Sequence, residues 1–350
     1  TVSSANTLEP EMTNSWEVGL DLRFFRDRTR LDVAYYSTRV DNQIISMRVS
    51  PAAGMILQTR NEGCVENYGV EATLSQDILK TKDFQWTANV NFSLNRGRLR
   101  SLPNDQVEYT ATQVSNDFYC TSWVGQSTTA MSGKDYVRTE DGQVVCDENG
   151  FPIISSEKQN FLGEREPDFL LGLGSTFTWK NLSLSFLFDG RCGGDVANIT
   201  GSSLISNGQS HLFDKYRNRE VIFNGVVADG VDDQGNTKYV KNTTPIILDS
   251  QFINTYFYPV SSNFIEDGSY IRLSYVTLGY DFANLMKQQK FFKGLKLNFT
   301  CNNVFLLTKY TGTDPVCNAS TGQGGTGSAG IDNTPIPNTR SYNISLTASF

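Results

Sequence analysis

The last ten residues, SYNISLTASF (341–350), put Tyr342, Ile344, Leu346, Ala348 and Phe350 at every second position, with small polar residues between them. Period-two alternation gives an extended strand one apolar and one polar face. Chain ends ordinarily fray and carry polar residues. This one predicts a strand packed up to its final side chain, Phe350. The pattern recurs along the chain. SWEVGLDLRF (15–24) sets Trp16, Val18, Leu20, Leu22 and Phe24 against Glu17, Gly19, Asp21 and Arg23. RLDVAYY (30–36), YGVEATLSQDI (68–78), FQWTANVNFSL (84–94), FLLGLGSTFTW (169–179), LSLSFLF (182–188) and LKLNFTCNNVFLL (295–307) repeat it. In 271–282 the phase slips: Ile271 and Leu273 share one face, then Val276, Leu278, Tyr280 and Phe282 do. Such a slip predicts a β-bulge near Ser274–Tyr275. The total is about nine long strands, which a soluble β-sandwich or a transmembrane barrel could accommodate.

Composition narrows the choice. No run approaches the roughly 20 apolar residues of a membrane helix, and mean hydropathy is −0.34. A membrane strand needs only about ten alternating residues, so a barrel averages out as polar. Net charge is −7 with pI near 4.9, and no basic stripe is present, so nucleic-acid binding is not expected. Six cysteines (Cys64, Cys120, Cys146, Cys192, Cys301, Cys317) show no CxxC spacing, which argues against zinc or thioredoxin-type chemistry. The one histidine, His211, rules out a histidine metal cluster. Residues 1–10 are polar and charged, unlike a signal peptide; an exported protein would have been trimmed there, or would begin further upstream.

The connections alternate in length. Those between Phe24 and Arg30, between Leu79 and Phe84, and at Lys180–Asn181 are tight. Those at roughly 42–65, 101–165, 190–268 and 308–339 are long and rich in Gly, Asn, Asp, Ser and Thr. The connection from Ala283 to Gly294 falls on the short side and has room for a helical turn. Short turns at one end and long loops at the other describe an outer-membrane barrel, periplasmic turns below and extracellular loops above. Phe24, Phe25, Phe84, Trp86, Trp179, Phe282, Phe291 and Phe350 gather at the tight-turn ends, as an interfacial aromatic girdle does. If the last strand runs down to the periplasm, the strand at Trp16 also runs down, and Thr1 lies outside. Nine strands starting outside leave open edges in lipid, which is prohibitively costly. The chain is thus expected to be the C-terminal portion of a larger barrel over 1–350, without the early strands.

LEPEMTNSWEVGLDLRFF (8–25), NYGVEATLS (67–75), FLGEREPDFLLGLGSTFTWKNLSLSFLFDGRCGGDV (161–196), DGSYIRLSYVTLGYDF (267–282), CNNVFLLTKYTGTDP (301–315) and TRSYNISLTASF (339–350) follow one another in an order that resembles the C-terminal barrel of the SusC/RagA family. These are TonB-dependent transporters of the Bacteroidota outer membrane. The resemblance implies an all-β transmembrane antiparallel barrel of 22 strands with an N-terminal plug, of which this chain supplies about the last nine strands. It implies active import of a large nutrient, glycan or peptide, energised through TonB, with a SusD-type surface lipoprotein docked on the long extracellular loops. It also implies contact with lipid and lipopolysaccharide, and a terminal aromatic, Phe350, resembling the signal read by the barrel-assembly machinery. The plug and any TonB-contacting segment are not in this chain, so energy coupling would reside elsewhere. No catalytic, cofactor-binding or metal-binding residue is expected. The alternatives are a passive porin-like channel and a soluble or extracellular β-sandwich that binds carbohydrate.

Candidate contact residues are the loop aromatics Phe118, Tyr119 and Trp123 in one loop and Tyr256, Phe257 and Tyr258 in another. Of these, Tyr119, Trp123, Tyr256 and Tyr258 are the candidates for substrate or partner contact, since aromatic faces stack on sugars and pack on proteins. Loops this long also need a core of their own, and the same rings could supply it. Glu71, Asn89, Asn91, Arg272, Asn298 and Asn302 are expected to line the lumen, and Ala88, Val90, Phe92, Leu184, Phe186, Leu297 and Phe299 to face lipid. DGQVVCDENGFP (141–152) and ADGVDDQGN (228–236) invite a calcium reading but read better as turns. Asp232–Asp233 and the pair Glu164 and Glu166 read as solvated loop faces. Cys120 and Cys146 share one loop, where they either bridge or stay free.

Overall fold

A computed structural model describes residues 2–4, 8–48, 52, 54, 57–102, 108–115, 118–157, 159–286, 293–317 and 329–350. Nine antiparallel strands lie side by side in chain order: β1 (Met12–Phe24), β2 (Thr29–Arg48), β3 (Leu57–Lys80), β4 (Phe84–Ser101), β5 (Phe169–Trp179), β6 (Leu182–Cys192), β7 (Tyr270–Asp281), β8 (Gly294–Thr308) and β9 (Ser341–Ser349). Each pairs with the next. Among the described residues β1 pairs only with β2 and β9 only with β8, so the sheet has two open edges.

Register shows what the alternation achieves. One row of directly opposed residues runs Leu22, Leu31, Leu74, Val90, Leu173, Phe188, Leu273 and Phe305 across eight strands. The neighbouring row, on the other face, runs Asp21, Asp32, Thr73, Asn91, Gly172, Asp189 and Arg272 before ending on Leu306. Among the described residues, no second sheet packs on the apolar face. Leu184, Leu297 and Phe299 are exposed, while Ala88, Val90, Phe92 and Phe186 are half-covered by lateral neighbours alone, as by the Phe177 ring 6.1 Å from Phe186. A sandwich would bury this face. The buried hydrophobic residues instead belong almost entirely to the long connections and to the strand ends that enter them.

The expected bulge is present. Ser274 is skipped between Leu273 and Tyr275 in the pairing of β7 with β6, and an extra residue in β8 answers it at Asn303–Val304, where Asn303 has φ +51°. The expected helical turn is there too, at Ala283–Met286. At the first tight turn Phe25, Arg26 and Asp27 all take left-handed φ (+55°, +59°, +65°). Arg28 staples that turn by donating from Nη2 to the carbonyl oxygens of Asp77 and Ile78, each at 3.0 Å. The aromatic girdle sits at this end: Trp86 and Phe177 stack at 5.3 Å, Tyr280 and Phe282 meet edge-on at 4.7 Å, and Phe25, Trp179 and Phe350 are exposed. Phe291 lies outside the described residues.

The supposed loop at 42–65 is a correction. β2 and β3 run for 20 and 24 residues, leaving only 49–56 between them. About ten residues suffice to span the apolar band, so the rest stands outside as a two-stranded ribbon. A short strand, Val2–Ser4, pairs in parallel with Leu57–Thr59 at its far end. The chain then crosses the ribbon, with Glu9 N donating to Asn61 Oδ1 at 2.8 Å and Ile44 N to Glu11 Oε1 at 2.8 Å. The segment entering β1 thus starts on the long-connection side, as the strand count required; Thr1 itself lies outside the described residues.

Candidate functional site

The polar face of the sheet is the first element of the site. Glu71, Asn89, Asn91, Asn298 and Asn302 all occupy its rows, as expected. Gly172 and Gly174 of β5 leave a floor between Asn89 and Asn91 on one side and Leu187 and Asp189 on the other. A groove of about 440 Å³ lies there, lined by Glu71, Thr73, Asn91, Ser93, Leu170 and Asp189 among others. Thr73 Oγ1 donates to Asn91 Oδ1 at 3.2 Å. The groove offers carboxylate, amide and hydroxyl groups beside three leucines, a surface that hydrogen-bonds without fixing one ligand shape.

Arg272 shares this face but is not free to line a lumen. Its Nη2 donates to Asp314 Oδ1 at 2.6 Å, and both side chains are buried. Asn338 Nδ2 donates to the other carboxylate oxygen of Asp314 at 2.7 Å. The guanidinium also lies 5.3 Å from the Tyr270 ring, whose hydroxyl donates to Asp189 Oδ2 at 2.9 Å. The pair ties β7 to the last long connection.

The long connections fold into small sheets with cores of their own. Phe118–Trp123 pairs with Glu108–Ser115 and Ala130–Gly133. Phe118 is buried there with Cys120, Met131, Ala197, Ile199 and Ile331. Tyr119 is half-buried opposite Gln113 and Ser132. Trp123 is half-buried, donating from Nε1 to Glu108 Oε2 at 3.2 Å, with its ring edge-on to Phe161 at 6.0 Å. A second core gathers Ile246, Leu248 and Phe252 with Phe151, Phe213, Phe223, Tyr256 and Phe257. Tyr256 stacks on Phe151 at 4.8 Å and on Phe252 at 5.9 Å. Tyr258 alone of the four candidates is exposed. Tyr119 and Trp123 therefore belong to one small sheet and Tyr256 to a different core, with Tyr258 beside it. Tyr136 packs on this second core: its hydroxyl donates to the Tyr256 carbonyl and accepts from Asn263 Nδ2, each at 2.8 Å. Burial pushes that phenol up to about 12.

Polar groups at the mouth bind these lobes to the wall and to one another. Glu166 is buried, accepting from Asn95 Nδ2 at 2.7 Å and from the Gly97 N–H at 3.1 Å; it is not a solvated loop residue. Arg191 Nη2 donates to the Arg165 carbonyl at 2.8 Å, and Arg96 Nη1 to that of Pro167 at 2.7 Å. Buried Asp332 accepts from Tyr310 and Thr200, each at 2.5 Å; burial, reinforced by that carboxylate, drives the Tyr310 phenol well above its ordinary range. The one local signal was the charged run GEREPD (163–168), whose Pro167 is incompatible with a regular strand interior. Asp147 and Asp232 cap tight turns, accepting N–H bonds from Asn149 and Phe151 and from Gln234 and Asn236. The calcium-like stretches are thus turns. Cys64, Cys146, Cys192, Cys301 and Cys317 are free thiols, so Cys146 is not bridged to Cys120.

An apolar outer face, a polar inner face, tight turns ringed by aromatics and folded lobes at the opposite end define a section of an outer-membrane β-barrel wall. The comparisons agree: the chain belongs to the TonB-dependent receptor-like β-barrel family, which its residues 1–304 match. Among relatives, the TonB-dependent receptor SusC of Bacteroides thetaiotaomicron is 26% identical over 98% of this chain and 32% of its own length. A TonB-dependent receptor of Formosa agariphila is 23% identical over 99% of this chain and 35% of its own. The fold resembles the solved RagAB peptide transporter, with a TM-score of 0.68 at 20% identity, over 97% of this chain and 35% of that one. The chain spans about a third of the length of the relatives it matches.

Proposed function

We propose that this chain is the C-terminal wall and outer vestibule of a TonB-energised outer-membrane transporter that imports a large nutrient, a glycan or a peptide. The observation that carries the reading is the folded vestibule. Loops that merely join strands need no hydrophobic cores, yet these connections build three and are clamped to the wall through Glu166 and Arg272. A rigid rim above a polar wall suits capture of a bulky solute and docking of a SusD-like surface lipoprotein. Contact with lipid and lipopolysaccharide belongs to the apolar face. TonB would be met by parts of the protein outside this chain.

The test uses the native organism. Uptake of labelled oligosaccharides and peptides is measured with and without a protonmotive force, beside variants with Tyr119, Trp123, Tyr256 or Tyr258 changed to Ala. Energy-dependent uptake, a co-purifying lipoprotein and loss of uptake in at least one surface-exposed variant are expected. Uptake indifferent to energy would favour the passive channel. Absence of the lipoprotein, together with indifference to all four changes, would overturn the docking.

A further inference from the structure

The charge of the connections is divided by side. The four short ones (25–28, 81–83, 180–181 and 282–293) hold seven Lys and Arg against two carboxylates, Asp27 and Asp83. The four long ones (49–56, 102–168, 193–269 and 309–340) hold eleven against twenty-three, in a chain of net charge −7. Lys287 and Lys290 lie outside the described residues; Arg26, Arg28, Lys82, Lys180 and Lys293 are all exposed. Arg28 spends its guanidinium on two backbone carbonyls. Among the described residues, Arg26, Lys82, Lys180 and Lys293 make no ion pair with a carboxylate.

These cations sit beside the girdle. Phe25 is 77% exposed and Trp179 57%, and Lys180 Nζ lies 5.8 Å from the centre of the Trp179 ring. Exposed aromatic rings mark the boundary between hydrocarbon and headgroups. Cationic side chains at the turns beyond them reach the depth of lipid phosphates. We infer that the short-turn rim is an anionic-phospholipid surface, on which Arg26, Lys82, Lys180 and Lys293 hold headgroup phosphates of the facing monolayer. Cations spread over four successive turns match a continuous charged plane; an acidic protein partner would call for cations gathered on one turn. A hollow of about 570 Å³ beside the first turn adjoins this rim and shares Arg26 with it. Phe25 and Arg26 border it from the turn, Arg30, Asp77 and Lys80 line it from the inner face, and Asp27 and Asp77 offset two of its four cations.

The test takes the intact protein that carries this chain, reconstituted in nanodiscs of equimolar phosphatidylglycerol and phosphatidylcholine. Spin-labelled lipids report which headgroup occupies the protein boundary. Phosphatidylglycerol should be enriched, and the enrichment should fade with added salt. The combined variant Arg26→Gln, Lys180→Gln, Lys293→Gln should lower it on the order of fivefold at the affected positions. Unchanged heat-modifiable mobility shows that this variant is folded. Equal occupancy by both lipids, or a variant as enriched as the parent, overturns the inference. So does displacement of the labelled lipid by inorganic phosphate, which would point to a free-anion site. Loss of a co-purifying protein with lipid enrichment intact would assign the rim to that protein instead.

Discussion

Single residues on the apolar face differ in what they contribute, because depth differs along each strand. Val90 lies six residues from the start of β4 and Leu184 only two from the start of β6, beside the girdle residue Phe177. Val90→Arg should cost about 2–4 kcal/mol near the midplane, and Leu184→Arg about 0–1 kcal/mol nearer the interface. Urea titration of the protein folded into vesicles would measure both; equal costs would mean that depth has been misjudged. At the mouth, Asp314→Ala strands the Arg272 charge in a buried site, and breaking such a pair from one side costs about 3–5 kcal/mol. Replacing both partners with apolar residues should recover most of that loss in a thermal melt. If the double change is as damaging as the single one, the cost lies in packing and not in the orphaned charge.

At the level of elements, strands were legible wherever one face meets lipid and the other water, since that contrast is what period two records. It failed above the membrane. QTRNEGCVEN (58–67) shows no alternation because neither face of the ribbon meets hydrocarbon there, so an extended strand reads as a loop. The vestibule sheets were illegible for a related reason: strands as short as Val145–Cys146 or Ile331–Asp332 are too brief to show a period. Loop aromatics were noticed, but composition cannot separate Tyr256, which stacks in a core, from Tyr258, which is exposed. The bulge makes a sharper claim. Because Ser274 is the extra residue in β7, deleting it preserves which side chains face out, whereas deleting Thr277 moves every residue above it to the opposite face. The first deletion should reach the outer membrane in near-normal amount and the second should not, as read by surface labelling. Similar yields from the two would show that facing does not control assembly.

For the whole molecule, edges dominate. β1 and β9 present unpaired backbone groups along one side each, and hydrocarbon cannot satisfy them. We propose that the remaining strands of a 22-stranded barrel close that gap, consistent with relatives about three times as long. Phe350, exposed at the foot of the last strand, fits a role in delivery more than in transport. Deleting it should reduce the amount of protein in the outer membrane while leaving uptake per molecule unchanged. Normal abundance after deletion would refute that role.

The six cysteines carry a consequence for biogenesis. An outer-membrane chain crosses an oxidising compartment before it folds, and any two of these sulfurs that met there could be joined. Cys120 and Cys146 end in different small sheets, so a bond made in transit would tether segments that must separate. Once folded, burial raises both thiols and slows their exchange. For these two thiols the mature fold thus shelters what the nascent chain exposes, and successful insertion becomes a race between strand pairing and the oxidation of its own cysteines.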